Sequence, residues 1–132
     1  MTADKLLQAL TGSYHDGTLE DAAYNNGNLY LYCFRNPFDP EGIEDVNTRY
    51  IIIRFENVTE LEVYNWKDRS YVPYTIGLLS KENENTSICG IDYLDYENGL
   101  VVFGECMRFR CNDVAVLEHS SEALDFSQYH NL

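Results

Sequence analysis

Thr18-Leu-Glu-Asp-Ala-Ala-Tyr-Asn-Asn-Gly-Asn-Leu-Tyr-Leu-Tyr-Cys-Phe-Arg35 carries the strongest structural signal in the chain. Asn25-Asn26-Gly27 sits at its middle, between two apolar runs. Asn-Gly in that context marks a hairpin, because both central positions of a type I′ turn need positive φ, which Asn and Gly adopt at low steric cost. The spacing predicts a strand from Thr18 to Tyr24 and another from Asn28 to Arg35. In the second arm Leu29, Leu31 and Cys33 alternate with Tyr30, Tyr32 and Phe34, so both faces are apolar. Such a strand belongs in the middle of a sheet, covered on both sides.

The same grammar recurs downstream. Ile91 to Tyr96 and Leu100 to Gly104 flank Glu97-Asn98-Gly99, a second Asn-Gly hairpin. Thr48 to Phe55 reads as a β-branched strand with Ile51, Ile53 and Phe55 on one face. In Glu56 to Asn65, Leu61, Val63 and Asn65 alternate with Glu60, Glu62 and Tyr64, which favours a strand with one wet face. Met107, Phe109 and Cys111 alternate with Arg108, Arg110 and Asn112, and Val114 to Glu118 follows as a further strand. Trp66 to Leu79 reads either as an irregular strand or as a loop entering one helical turn, since Pro73 and Gly77 oppose long regular structure. Leu6, Leu7 and Leu10 at helical spacing, with Gly12 beyond, predict a short helix from about Ala3 to Leu10. The polar tail from Ser120 offers Phe126 and Tyr129 as anchors. About eight strands joined largely by hairpin-length turns predict a mainly β chain: one domain over residues 1–132, an antiparallel β-sandwich or a partly open barrel, with that short N-terminal helix.

Charge narrows the partners. Nine basic against 22 acidic side chains give a formal net charge of −13 in 132 residues. The 11 Tyr, six Phe and one Trp argue for a packed core over acidic disorder. Acidic residues occur along the whole chain, so the charge belongs to a folded surface. Five of the six arginines, Arg35, Arg49, Arg54, Arg108 and Arg110, fall on or beside strands, where ion pairing leaves the rest of the surface still more acidic. A surface of this sign is repelled by nucleic acid phosphates and anionic lipids, and it steers a basic partner toward it. Neither direct nucleic acid binding nor membrane binding is expected. The first ten residues, Met1 to Leu10, hold an apolar run too short for a signal-peptide core, which points to the cytoplasm. Cys33, Cys89, Cys106 and Cys111 form no C-x-x-C pair, and in a reducing compartment they read as small buried hydrophobes. A zinc site or a disulfide in an exported form are the alternatives.

Candidate chemistry is sparse. His15-Asp16-Gly17 could set a carboxylate against an imidazole, but Asp-Gly is also a turn dipeptide leading into the strand at Thr18. There is no phosphate-binding glycine loop, nucleophile elbow or cysteine–histidine signature, so no catalytic residue, metal or cofactor is expected. Two clusters suit an interface. Tyr64, Trp66, Tyr71 and Tyr74 gather in an irregular segment beside Lys67, Asp68 and Arg69, and large rigid rings with polar tips build recognition surfaces. Asp39, Glu41, Glu44 and Asp45 form an acidic loop.

Three stretches carry a family likeness: His15-Asp16-Gly17 entering the first hairpin, Phe55-Glu-Asn-Val-Thr-Glu-Leu61 after a β-branched strand, and the strand pair from Met107 to Val116. Through them the chain resembles small acidic bacterial immunity proteins of polymorphic toxin and contact-dependent inhibition systems, and their uncharacterised relatives. The resemblance implies neutralisation of a basic protein toxin, often a nuclease, by acidic groups capping its active site. It carries over no catalytic residue. The competing expectations are a ligand-binding or structural β module, recognisable by an aromatic pocket around Trp66, Tyr71 and Tyr74, and a small hydrolase-like enzyme using His15.

Overall fold

The computed structural model describes residues 17–34, 48–75, 88–91 and 94–131. Asn26 (φ 55°) and Gly27 (φ 80°) both take positive φ and close the first hairpin, β1 (Thr18–Asn25) and β2 (Asn28–Phe34), with Asn25 opposite Asn28. β3 (Tyr50–Glu56) pairs with the other side of β2, and β10 (Asp113–Ser120) pairs with β3. The two-residue β6 (Cys89–Gly90) lies on the far side of β1. The first sheet therefore runs β10-β3-β2-β1-β6, with β2 in the middle.

β4 (Thr59–Asn65) follows β3 through Asn57, itself at φ 52°. β5 (Ser70–Pro73) returns along β4; β7 (Leu94–Glu97) and β8 (Leu100–Phe103) form the second hairpin, turning at Asn98 (φ 53°) and Gly99 (φ 82°). β9 (Met107–Arg110) joins the two pairs, giving the order β5-β4-β9-β8-β7. All pairings are antiparallel.

The two sheets enclose one core. Leu29, Leu31, Ile51, Ile53 and Phe55 of the first sheet meet Leu61, Val63, Val101, Phe103, Met107 and Phe109 of the second. Phe55 stands edge-on to Phe103 and Phe109, at centroid distances of 6.2 and 4.9 Å. The architecture is a sandwich, which removes the barrel alternative. Ten strands among the described residues replace the expected eight, and the two additions are β5 and β6. β5 lay in the stretch read as strand or loop; β6 is too short to show any alternation. The helix expected over Ala3–Leu10 lies outside the described residues. No helix among those residues is long and apolar enough to cross a membrane.

A second apolar cluster covers the outer face of the first sheet. Tyr30, Tyr32 and Ala23, with Ile52, are buried under Phe126 and Tyr129 of the C-terminal segment, which ends in a 3-10 helix (Ser127–Asn131). This is why β2 tolerates apolar side chains on both faces. Phe126 stacks on Tyr32, the Tyr32 hydroxyl accepts a hydrogen bond from the Leu124 amide at 2.7 Å, and the Asn25 side-chain amide donates to the Tyr129 carbonyl at 2.7 Å.

Candidate functional site

The other outward face, on the second sheet, presents the aromatic residues singled out above. Alternation along β4 turns Leu61 and Val63 inward and Glu62 and Tyr64 outward, and register places Tyr71 of β5 directly opposite Tyr64. The β4–β5 turn is fixed by Asn65, whose side-chain oxygen accepts from the Lys67 amide at 2.9 Å, and it holds Trp66 just beyond the strand. Trp66 is 62% exposed and is the only large hydrophobic side chain exposed among the described residues. The Tyr64 ring meets Trp66 edge-on at 5.0 Å and Tyr71 edge-on at 5.3 Å. Arg108, on β9, lays its guanidinium over Tyr71 at 4.1 Å and bonds Glu62 through Nε at 2.7 Å. The result is a continuous strip, Trp66-Tyr64-Tyr71-Arg108-Glu62, extended by the ion pair of Arg110 with Glu60 at 2.9 Å.

The strip rests on the turn between β8 and β9. The Tyr71 hydroxyl donates to the Gly104 carbonyl, and the Tyr64 amide donates to the Cys106 carbonyl at 2.9 Å. Cys106 forms a disulfide with Cys89, their Cα atoms 6.4 Å apart and the residues 17 apart in sequence. This corrects the reading of four free thiols: only Cys33 and Cys111 are free. No motif spacing announces the bond, because it forms only once β6 has crossed to the first sheet while the β8–β9 turn stays in the second.

Tyr74 does not join the strip. Three positions after Tyr71, it points the other way, packs against the sandwich core and meets Tyr24 edge-on at 5.5 Å. Burial raises its hydroxyl pKa. Trp66, Tyr71 and Tyr74 therefore do not line one concavity. Asp39, Glu41, Glu44 and Asp45 lie outside the described residues, as do His15 and Asp16. Of the remaining histidines, His130 meets Asp21 at 3.1 Å beside the C-terminal segment, and His119 is exposed on β10. No group of three or more His, Cys, Asp or Glu that could hold a metal occurs among the described residues.

Arg108 was missing from the candidates drawn from sequence. Its alternation with Met107 and Phe109 marked it as outward-facing, but only the β4–β9 register shows that it covers Tyr71. Three of the five strand arginines pair as expected, Arg54 with Glu56, Arg108 with Glu62 and Arg110 with Glu60, while Arg35 lies outside the described residues. Asp68, Asp95, Glu97, Asp113, Glu122 and Asp125 remain exposed. Comparison with family models, with curated proteins and with solved structures found no match.

Proposed function

We propose that this chain is an acidic protein-binding domain of the immunity type, which neutralises a basic protein toxin, such as a nuclease, by covering its active site. The observation that carries the reading is Trp66, exposed on a support of Tyr64, Tyr71 and Arg108. Trp, Tyr and Arg are the residues in which binding energy concentrates at protein interfaces. A net charge of −13 supplies the complementary field for a basic partner. No catalytic residue, metal or cofactor enters the proposal. Cytoplasmic residence belongs to it only for the reduced protein, because cytoplasmic thiols reduce an accessible disulfide.

The test is titration with any basic protein whose gene lies beside the gene for this chain. Trp66→Ala is expected to weaken binding by about 30-fold, the fold-change of a 2 kcal/mol hot spot, while leaving the unfolding midpoint nearly unchanged. The association rate should fall with added salt. Binding that is indifferent both to Trp66→Ala and to salt, or no binding to any such partner, would sink the reading.

A further inference from the structure

The aromatic strip and the disulfide share a support. Cys106 lies in the turn whose Gly104 and Cys106 carbonyls accept the Tyr71 hydroxyl and the Tyr64 amide, and that turn is kept tight by the Cys106 amide donating to the Phe103 carbonyl at 2.9 Å. Gly104 sits at φ 44°, in the left-handed region. The other end of the bond, Cys89, belongs to a two-residue strand held on β1 by its pairing with Leu19 and Thr18 and by two flanking backbone hydrogen bonds, Ile88 to Leu19 and Ile91 to Gly17. Along the chain β6 leaves the second sheet after β5, pairs in the first, and returns to the second at β7. The Cys89–Cys106 bond ties this excursion to the turn beneath the strip.

We propose that this disulfide is a redox-set buttress of the Trp66 surface: oxidised, it holds the β8–β9 turn and with it Tyr64 and Tyr71; reduced, it frees β6 and loosens the strip. The inference rests on reading that strip as the binding surface. The reductant is a thiol, either a small one or a protein dithiol. Its thiolate attacks the sulfur of Cys89, which is only partly buried where Cys106 is buried; the S–S bond breaks, its electron pair goes to the Cys106 sulfur, and that sulfur takes a proton. A second thiolate then resolves the mixed disulfide. Two reductant thiols leave as one disulfide, and Cys89 and Cys106 remain as thiols. The other two cysteines stand apart from the exchange: Cys33 is fully buried, and burial pushes the half-buried Cys111 thiol up to about 11, so neither presents thiolate near neutral pH.

The experiment uses the full chain. Alkylation after unfolding without reductant is expected to label two thiols, Cys33 and Cys111, and to recover Cys89 and Cys106 in one linked peptide; with reductant all four label. Trp66 is the only tryptophan, so its fluorescence reports the strip with no partner present. Reduction should raise its quenching by acrylamide while far-UV circular dichroism keeps the β signature, and Cys106→Ser should show the reduced behaviour with or without reductant. Cys111→Ser should behave as the parent. Four labelled thiols without reductant, identical quenching in both redox states, or wholesale loss of the β signature on reduction would each overturn the proposal. With the basic partner added, the oxidised form should bind about tenfold tighter than the reduced form. A redox-dependent Trp66 signal with no partner binding in either state would overturn the functional reading and leave the buttress standing.

Discussion

Phe55 shows how one side chain can decide the sandwich. It is fully buried on β3 and sits edge-on to both Phe103 and Phe109, which come from neighbouring strands of the opposite sheet. Edge-to-face contacts add about 0.5–1.5 kcal/mol to the gain from burying the rings. Phe55→Ala would leave a void walled by those two rings, and large-to-small changes of this kind cost about 3–5 kcal/mol. The expected result is a urea midpoint far below the parent's with an unchanged m-value, measured by circular dichroism. A loss under about 1 kcal/mol would mean that the sheets close over the gap, contrary to the cost expected of such a cavity. Trp66 lies at the other extreme, and its exposure makes it the residue whose loss should leave folding alone.

The C-terminal segment is the element that completes the fold, because it converts the outer face of the first sheet from an exposed aromatic surface into a second core. Tyr129 is its anchor: the ring packs on Tyr30 and Phe126, and the hydroxyl donates to Glu118 on β10. Burial first, and the Glu118 carboxylate second, push its pKa from 10.0 up to about 12. Both folded and unfolded chains keep the proton below pH 10; between there and about 12 the unfolded chain releases it while the folded chain holds it, so stability falls as pH rises through that window. Tyr129→Phe should flatten this alkaline decline and, by removing the hydrogen bond, cost about 1 kcal/mol at neutral pH. Urea titrations across the pH series decide it, and an equally steep decline in the variant would assign the effect to the other groups whose pKa burial raises, Tyr32, Tyr74, Cys33 and Cys111. How far such elements can be read from sequence depends on how local their causes are. Both Asn-Gly hairpins were legible because the turn chemistry sits within a few residues, and β2 was legible as a central strand because both its faces are apolar. β5 was obscured by Pro73 and by its mostly exposed or half-buried side chains, and β6 by its length. The aromatic cluster was located but not sorted: the Tyr64–Tyr71 register that separates Tyr74 from its neighbours is a pairing between strands, which neither strand encodes alone.

Across the whole molecule the charge has two opposing effects on stability. The ion pairs Arg54–Glu56, Arg108–Glu62 and Arg110–Glu60 are partly or largely exposed, and such pairs contribute about 0.2–1 kcal/mol each, less as salt rises. Against them stands the self-repulsion of a chain carrying −13, which opposes the compact state and is also screened by salt. Screening acts over about 10 Å at 0.1 M salt and about 3 Å at 1 M, so distant like charges lose their interaction before contacting pairs lose theirs. The repulsion should therefore fade first, and stability should rise with sodium chloride. The expected gain from about 0.02 to about 0.5 M is on the order of 1 kcal/mol, or about 3–5 °C in Tm, read by thermal unfolding in chloride to avoid the general stabilisation that sulfate brings. Removing one exposed acid from β7 supplies the matching control: Glu97→Gln should raise Tm at low salt and lose that advantage at high salt, since it relieves the same repulsion that the ions screen. A Tm that falls on adding salt would show that the arginine pairs outweigh the field, and the acidic excess would then be held in the native state at no measurable cost.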